Sequence, residues 1–203
     1  LFAILVFGRP LKDMKYLEKF LKNLEKEGQK AIEVGLLEQE GTNNLIVEPA
    51  KGKLRYDENA KEAIWKLSAG HPSLTQLLCF CIFKYCRKNE NKDVVDKDVD
   101  SILSRAMEEG YAVLQGFIKD LGKNENLFFR AVAEAQEIRI VNLGEINKKI
   151  IKPTEKISIP NLRQAGKRLE ELGFLEKERK GYKIKVELVR LWLLKKHALL
   201  TEK

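Results

Sequence analysis

The hydrophobic period of this chain changes once, near its end, and that change dictates what its C-terminal part can build. Leu127, Phe128, Ala131, Val132 and Ala135 recur at three and four, which puts one apolar face on a helix over 126–136. A second, short helix is expected from Leu143 to Ile151. Ser158-Ile159-Pro160 then opens a third, with Leu162, Ala165, Leu169 and Leu172 on its inner side and Gly173 at its end. Beyond Gly173 the period falls to two. Phe174–Arg179 and Tyr182–Val186 flank Lys180-Gly181, the pattern of a β-hairpin. A last helix, Leu188 to Leu200, carries Trp192 on an apolar stripe with Leu188, Leu191 and Leu199 and so places it in the core.

Helices followed by a hairpin in this order make a winged helix-turn-helix, and the charge concentrates in the same place. The 203 residues carry 38 Lys+Arg against 30 Asp+Glu, a net of +8. Residues 143–203 hold 16 Lys+Arg and 8 Asp+Glu, while residues 1–142 hold 22 of each, so the whole excess lies in the last segment. Arg163, Gln164, Lys167 and Arg168 stand opposite the leucine face of the third helix. That is the composition of a recognition helix, with cations for phosphates and Gln and Arg for base edges. Lys180, with Lys177, Arg179, Lys183 and Lys185, is set on the hairpin to reach a flanking phosphate. Glu170, Glu171, Glu176 and Glu178 are interspersed and repel phosphate wherever they share that face. The other reading of this surface is an intramolecular or oligomer interface.

Upstream, Leu1–Phe7 is apolar on both faces and suits a central strand of a parallel sheet. Such a strand needs neighbours, so the chain reads as the C-terminal piece of a longer protein. Gly8-Arg9-Pro10 follows, then an expected helix over Asp13–Glu27 and a short strand, Ala31–Val34. Glu40–Val47 is helical and stops before Pro49. Asp57 caps a helix with Ala60, Ala63, Ile64 and Leu67 inward and Gly70 closing it. Pro72 fits the first turn of the next, which runs to about Arg87. Asp96 or Asp98 starts another, through Val99, Ile102, Leu103 and Ala106 to Gly110. The expected organisation is therefore mainly α with small β: residues 1–37 ending an α/β core, 38–121 a helical bundle, and 122–203 the winged helix.

Composition removes several classes. A third of the residues are charged and 44% are hydrophobic, which excludes disorder. No apolar run approaches the roughly 18 residues of a membrane span. Cys79, Cys81 and Cys86 make no disulfide framework, which points to a reducing, cytoplasmic setting. Their spacing does not suit zinc either, so they are expected to be buried thiols and no metal site is expected. With His71 and His197 as the only histidines, no catalytic set stands out.

The stretch Leu67-Ser-Ala-Gly70-His71-Pro72-Ser-Leu-Thr-Gln76-Leu77 resembles the lid of the STAND-class P-loop ATPases, relatives of the AAA+ proteins. Leu45-Ile-Val-Glu-Pro49, Tyr56–Ala60 and Asp98-Val99 agree in order. Leu5-Val-Phe-Gly-Arg9 is similar to that family's final core strand ending in a sensor arginine, and Arg190-Leu-Trp192-Leu resembles the end of its winged helices. The resemblance covers nearly the whole chain. It implies that Gly70, His71 and Pro72 touch the adenine of ATP or ADP, His71 through its backbone, and that Arg9 approaches the γ-phosphate. Chemistry alone leaves a plainer reading open: Gly70 as a helix cap, Pro72 as a helix start, and Arg9 as a carboxylate partner.

One departure matters. The chain holds no GxxxxGK[ST] to cradle phosphates and no apolar strand ending in paired carboxylates for Mg²⁺. In the resembled family both lie upstream. Alone, then, this chain is not expected to hydrolyse ATP or to hold nucleotide tightly, whereas its parent would be an ATPase working with Mg²⁺. The expected function is the nucleotide-sensing lid and winged helix of a STAND-type signalling ATPase. The alternative is a DNA-binding module of a transcription regulator or an origin-recognition-like ATPase. The partners implied are the upstream core, further copies of the chain, or double-stranded DNA, and no membrane.

Overall fold

The Asp57 and Ser158 side chains cap the starts of two helices, and left-handed backbone at Ala69 and Gly173 follows the ends of the same two. In the computed structural model, residues 22, 23, 26, 35–136, 142–149, 157–179 and 181–201 are described. The expected strands at Leu1–Phe7 and Ala31–Val34, and the candidate residues Arg9 and Lys180, lie outside them. Within the expected helix over 13–27, Lys22, Asn23 and Lys26 are helical. The chain divides into two compact units, Leu1–Gly35 and Leu36–Lys203; the second is built as follows.

Helix α1, Gln39–Val47, ends at a 3-10 turn, Glu48–Ala50, that contains Pro49. A two-residue strand β1, Arg55–Tyr56, leads into α2, Glu58–Ser68, where the Asp57 carboxylate accepts the Ala60 N–H at 2.7 Å. Helix α3, Pro72–Lys88, has Pro72 in its first turn, where the missing N–H costs nothing. Strand β2, Asp93–Val94, pairs in parallel with β1, and Arg55 grips Asp93 through two hydrogen bonds of 2.6 and 2.8 Å. Two residues are too few to show a period, so this pairing has no sequence signature. The helix expected from Asp96 to Gly110 is broken at Ile102 (φ −96°, ψ −4°) into α4, Asp96–Ser101, and α5, Leu103–Glu109. The Ser101 hydroxyl bonds back to the Lys97 carbonyl at 2.7 Å, a contact that bends helices. Helix α6, Tyr111–Gly116, follows and was not expected.

The second half follows the expected order. Helix α7, Lys123–Ala135, starts earlier than the apolar period suggests, because the Glu125 carboxylate accepts the Gly122 N–H at 2.7 Å. Helices α8, Leu143–Lys149, and α9, Ile159–Glu171, come next, with the Ser158 hydroxyl accepting the Asn161 N–H. Strands β3, Leu175–Glu178, and β4, Gly181–Ile184, form the antiparallel hairpin in the register Leu175↔Ile184, Glu176↔Lys183. Gly181 pairs with Glu178, so it opens a strand where the sequence placed it in the turn. Helix α10, Glu187–Thr201, closes the chain.

The fold is mainly α with small β. Its core is continuous from Ile64, Leu74, Leu78 and Ile82 of the first half to Phe128, Phe129, Leu162 and Leu169 of the second. Burial of each such side chain stabilises by about 1.5–3 kcal/mol. Helix α10 joins the halves, packing on α7 and back onto α2. Trp192 is buried in it, edge-on to Tyr111 with centroids 6.0 Å apart, and Lys196 donates to the Gln115 side-chain carbonyl at 2.9 Å. No helix among the described residues is long and apolar enough to cross a membrane.

Candidate functional site

The turn between α2 and α3 is held from several sides. Ala69 and Gly70 both take left-handed backbone, with φ of 47° and 75°. A Cβ on Gly70 would strike the Leu37 carbonyl oxygen and come within 2.8 Å of the Trp65 ring, so only glycine fits. The Leu37 N–H donates to the Gly70 carbonyl at 2.9 Å, bringing the segment before α1 across the turn. Beneath it, the buried Ser68 hydroxyl accepts from the Gly70 N–H at 3.3 Å and from the Thr75 hydroxyl at 3.0 Å.

The His71 backbone is engaged inside the turn. Its N–H donates to the Ser68 carbonyl and its own carbonyl accepts from Thr75 N–H, both at 2.9 Å. The unused polar capacity is in the imidazole, whose buried Nδ1 has no hydrogen-bond partner. Burial also holds this imidazole below its ordinary pKa. Its ring meets Phe117 at 5.4 Å, Phe117 meets Phe174 at 5.3 Å, and Phe174 stacks on Phe129 of α7 at 5.8 Å. Phe174 immediately precedes β3, so a continuous row of rings runs from the Gly70-His71-Pro72 turn to the base of the hairpin.

On α9, Arg163, Gln164 and Lys167 are exposed and Arg168 is half-buried, while Leu162, Ala165, Gly166 and Leu169 face inward. The structure brings the four together on one outer surface, and it brings acids there too. Glu171 lies 4.0 Å from both Lys167 Nζ and Arg168 Nη1, and Glu170 follows Arg163 by two turns. Glu176 stands opposite Lys183 in the hairpin register. The cationic face is thus partly neutralised by its own carboxylates.

Two residues that the sequence reading left without a role turn out to hold this half together. Arg190, only 13% exposed in its side chain, is clasped by Glu187 at 2.6–3.0 Å and donates to the Ala133 and Gln136 carbonyls at 3.3 and 3.0 Å, tying α10 to the end of α7. The Glu187-x-x-Arg190 spacing was the available signal. Gly166 sits where a Cβ would come within 2.9 Å of the Phe128 and Tyr182 rings, which themselves meet edge-on at 5.3 Å. A glycine inside a strongly amphipathic helix was its only signal.

Cys81 and Cys86 are buried, Cys79 is half-buried, and all three are unbridged. Desolvation raises each thiol, Cys79 up to about 11, so none is a ready nucleophile. Among the described residues no three His, Cys, Asp or Glu side chains converge as a metal-binding group.

A Walker-type ATPase of Pyrococcus abyssi superposes with a TM-score of 0.57 at 21% identity, over 88% of this chain and 49% of that one. Cdc6p from Pyrobaculum aerophilum gives 0.34 at 15% identity, over 89% of this chain and 55% of that one. The ORC2 protein of Aeropyrum pernix, solved with ADPNP and ADP, gives 0.38 at 12%, over 93% and 53%. The chain therefore has the fold of part of the first ATPase and spans about half of each structure's length. The other two superpositions are too loose to add to that. No family model and no curated protein matches the chain.

Proposed function

We propose that the chain is the nucleotide-responsive lid and winged helix of a Walker-type, AAA+-related P-loop ATPase of the STAND signalling branch. The observation that carries this reading is the row of rings from His71 through Phe117 and Phe174 to Phe129, which links the lid turn to the winged helix. The fold shared with the Pyrococcus ATPase supports it. Residues 1–37 end the core, 38–121 form the lid and 122–203 the winged helix. Pro72 and the turn around Gly70 and His71 meet the adenine. Arg9 senses the γ-phosphate. Mg²⁺ would be held by the phosphate-binding core, where it would stabilise phosphoryl charge. Closure on nucleotide moves the winged helix because its base is packed on the turn.

The test uses the polypeptide that carries the phosphate-binding core. Titrated with a fluorescent ADP analogue, Pro72→Ser should weaken binding roughly tenfold, and nucleotide should change hydrogen exchange in α9 as well as at the turn. Unchanged affinity together with exchange changes confined to the core would sink the reading.

The exposure of Arg163, Gln164 and Lys167 on one face of α9 favours a second reading, a DNA-binding module of an origin-recognition-like ATPase or a transcription regulator. Duplex DNA titrated at two salt concentrations tests it. Binding that weakens with salt and is lost in Arg163→Ala/Lys167→Ala/Arg168→Ala would make α9 a DNA reader. The double-stranded DNA contact and the homo-oligomer are alternative uses of that one surface.

A further inference from the structure

Helix α3 is buried along most of its length, yet it presents one stripe to solvent, Gln76, Phe80, Phe83 and Arg87, at helical spacing. Phe80 and Phe83 are 50% and 41% exposed. A single exposed phenylalanine needs no explanation, but two in register beside a concavity form a patch that does. Phe83 forms one wall of a cleft of about 290 Å³ between the loop before β1 and the end of α3, with Leu54 and Cys86 also lining it. That volume is at the small end for a ligand site and suits one large side chain better than a nucleotide.

Cations line the same cleft. Lys53, Arg87 and Lys92 contribute to it, and none of them is paired with a carboxylate among the described residues; Glu90 is the acid among the lining residues. Other basic residues nearby are already neutralised, Arg55 by Asp93, Lys51 by Glu48 and Lys84 by Glu109. Lys84 also lies 4.2 Å over the Phe80 ring, which holds that ring in place. An apolar floor with unpaired cations at its rim is complementary to a bulky apolar side chain flanked by carboxylates.

We infer that the Phe83–Arg87 cleft of α3 docks an acidic, aromatic-bearing peptide segment of a partner protein. Aromatics beside cations also stack single-stranded nucleic acid. That occupant is disfavoured because a single cleft of about 290 Å³ with Glu90 in its lining takes one side chain and offers no groove along which successive phosphates could run. The inference does not depend on nucleotide binding or on the winged helix.

The full chain, titrated with a short fluorescein-labelled peptide bearing one tryptophan among glutamates, should bind in a salt-sensitive manner. Replacing those glutamates with glutamine, or making Arg87→Glu with Lys92→Glu, should each weaken binding roughly tenfold or more. Phe83→Ala should do the same with the melting temperature unchanged. A lysine-flanked peptide should bind the double charge-reversal variant better than it binds the natural chain. Four outcomes overturn the inference: no binding by the natural chain, equal binding of the glutamine peptide, full competition by oligo-dT, or self-association that Phe83→Ala abolishes.

Discussion

The α2–α3 turn and the outer face of α9 are both candidate contact surfaces, and they are held in opposite ways. At the turn, Gly70, His71, Ser68, Thr75 and Leu37 satisfy one another, so its geometry is set by folding itself. On α9, Arg163 and Gln164 project from a helix whose other side does the packing. A substitution at the turn therefore registers first as lost stability, whereas one on α9 leaves the fold almost untouched. The glycines give the sharpest form of this contrast. Gly70 and Gly52 share nearly the same φ, 75° and 74°, but a Cβ at Gly52 would meet nothing within 4 Å.

The largest effect should come from that pair. Gly52→Ala is expected to cost about 1 kcal/mol, the strain of a left-handed alanine. Gly70→Ala adds the collision with Leu37 and Trp65 and should cost about 3 kcal/mol or more. Urea unfolding of both variants measures the difference. Equal costs would mean that Leu37 yields easily and that the turn is not fixed by the segment before α1.

Next comes the row of rings. Phe174 lies between Phe117 and Phe129, and Phe174→Ala should destabilise by about 2–3 kcal/mol. A double-mutant cycle on His71 and Phe117 should give a coupling of about 0.5–1.5 kcal/mol. Additive costs would separate the turn from the winged helix and break the proposed transmission between them.

A smaller effect follows from protonation. Burial lowers the His71 pKa below its ordinary 6.5, so in the unfolded chain this group binds its proton first as pH falls. Its contribution is complete above about pH 6.5 and is lost on acidification through the folded pKa. The urea midpoint should fall between neutral and mildly acid pH, and His71→Gln should flatten that slope. The acids with lowered pKa, Asp93 and Glu109, contribute above their ordinary 3.8 and 4.5 and lose this only below that range, so the loss from His71 sets in at higher pH. An unchanged slope in His71→Gln would assign the pH dependence elsewhere.

Much of this architecture was legible in the residues because it rests on local rules. Asp57 and Ser158 cap helices, Pro72 starts one, and the hairpin lies between two alternating runs, all at short range. What escaped was long-range or strictly steric. The β1–β2 pairing joins Arg55 to Asp93 across α2 and α3, and the break at Ile102 interrupts an apolar pattern that continues through it. The site was legible only in part for the same reason. Gly70-His71-Pro72 could be picked out, but the hydrogen bonds that occupy the His71 backbone, and the rings that carry its side chain to Phe129, depend on elements far apart in sequence. The tethering of α10 by Arg190 and the close approach at Gly166 belong to the same class.

The smallest stability change is expected on α9, and there it is the most informative. Arg163→Ala/Lys167→Ala/Arg168→Ala should shift stability by about 0.5 kcal/mol or less, since exposed ion pairs contribute little. Any functional change in that variant can then be read without correction for folding. Glu171 refines the test, because it shares the surface and lies 4.0 Å from both Lys167 and Arg168. If α9 reads DNA, Glu171→Gln removes a charge that repels phosphate, and affinity should rise severalfold at low salt and converge with the natural chain at high salt. If α9 instead faces protein, the same change removes half of a compensated charge set and should weaken the contact. One substitution thus moves the two readings of the winged helix in opposite directions, which the triple alanine variant alone does not do.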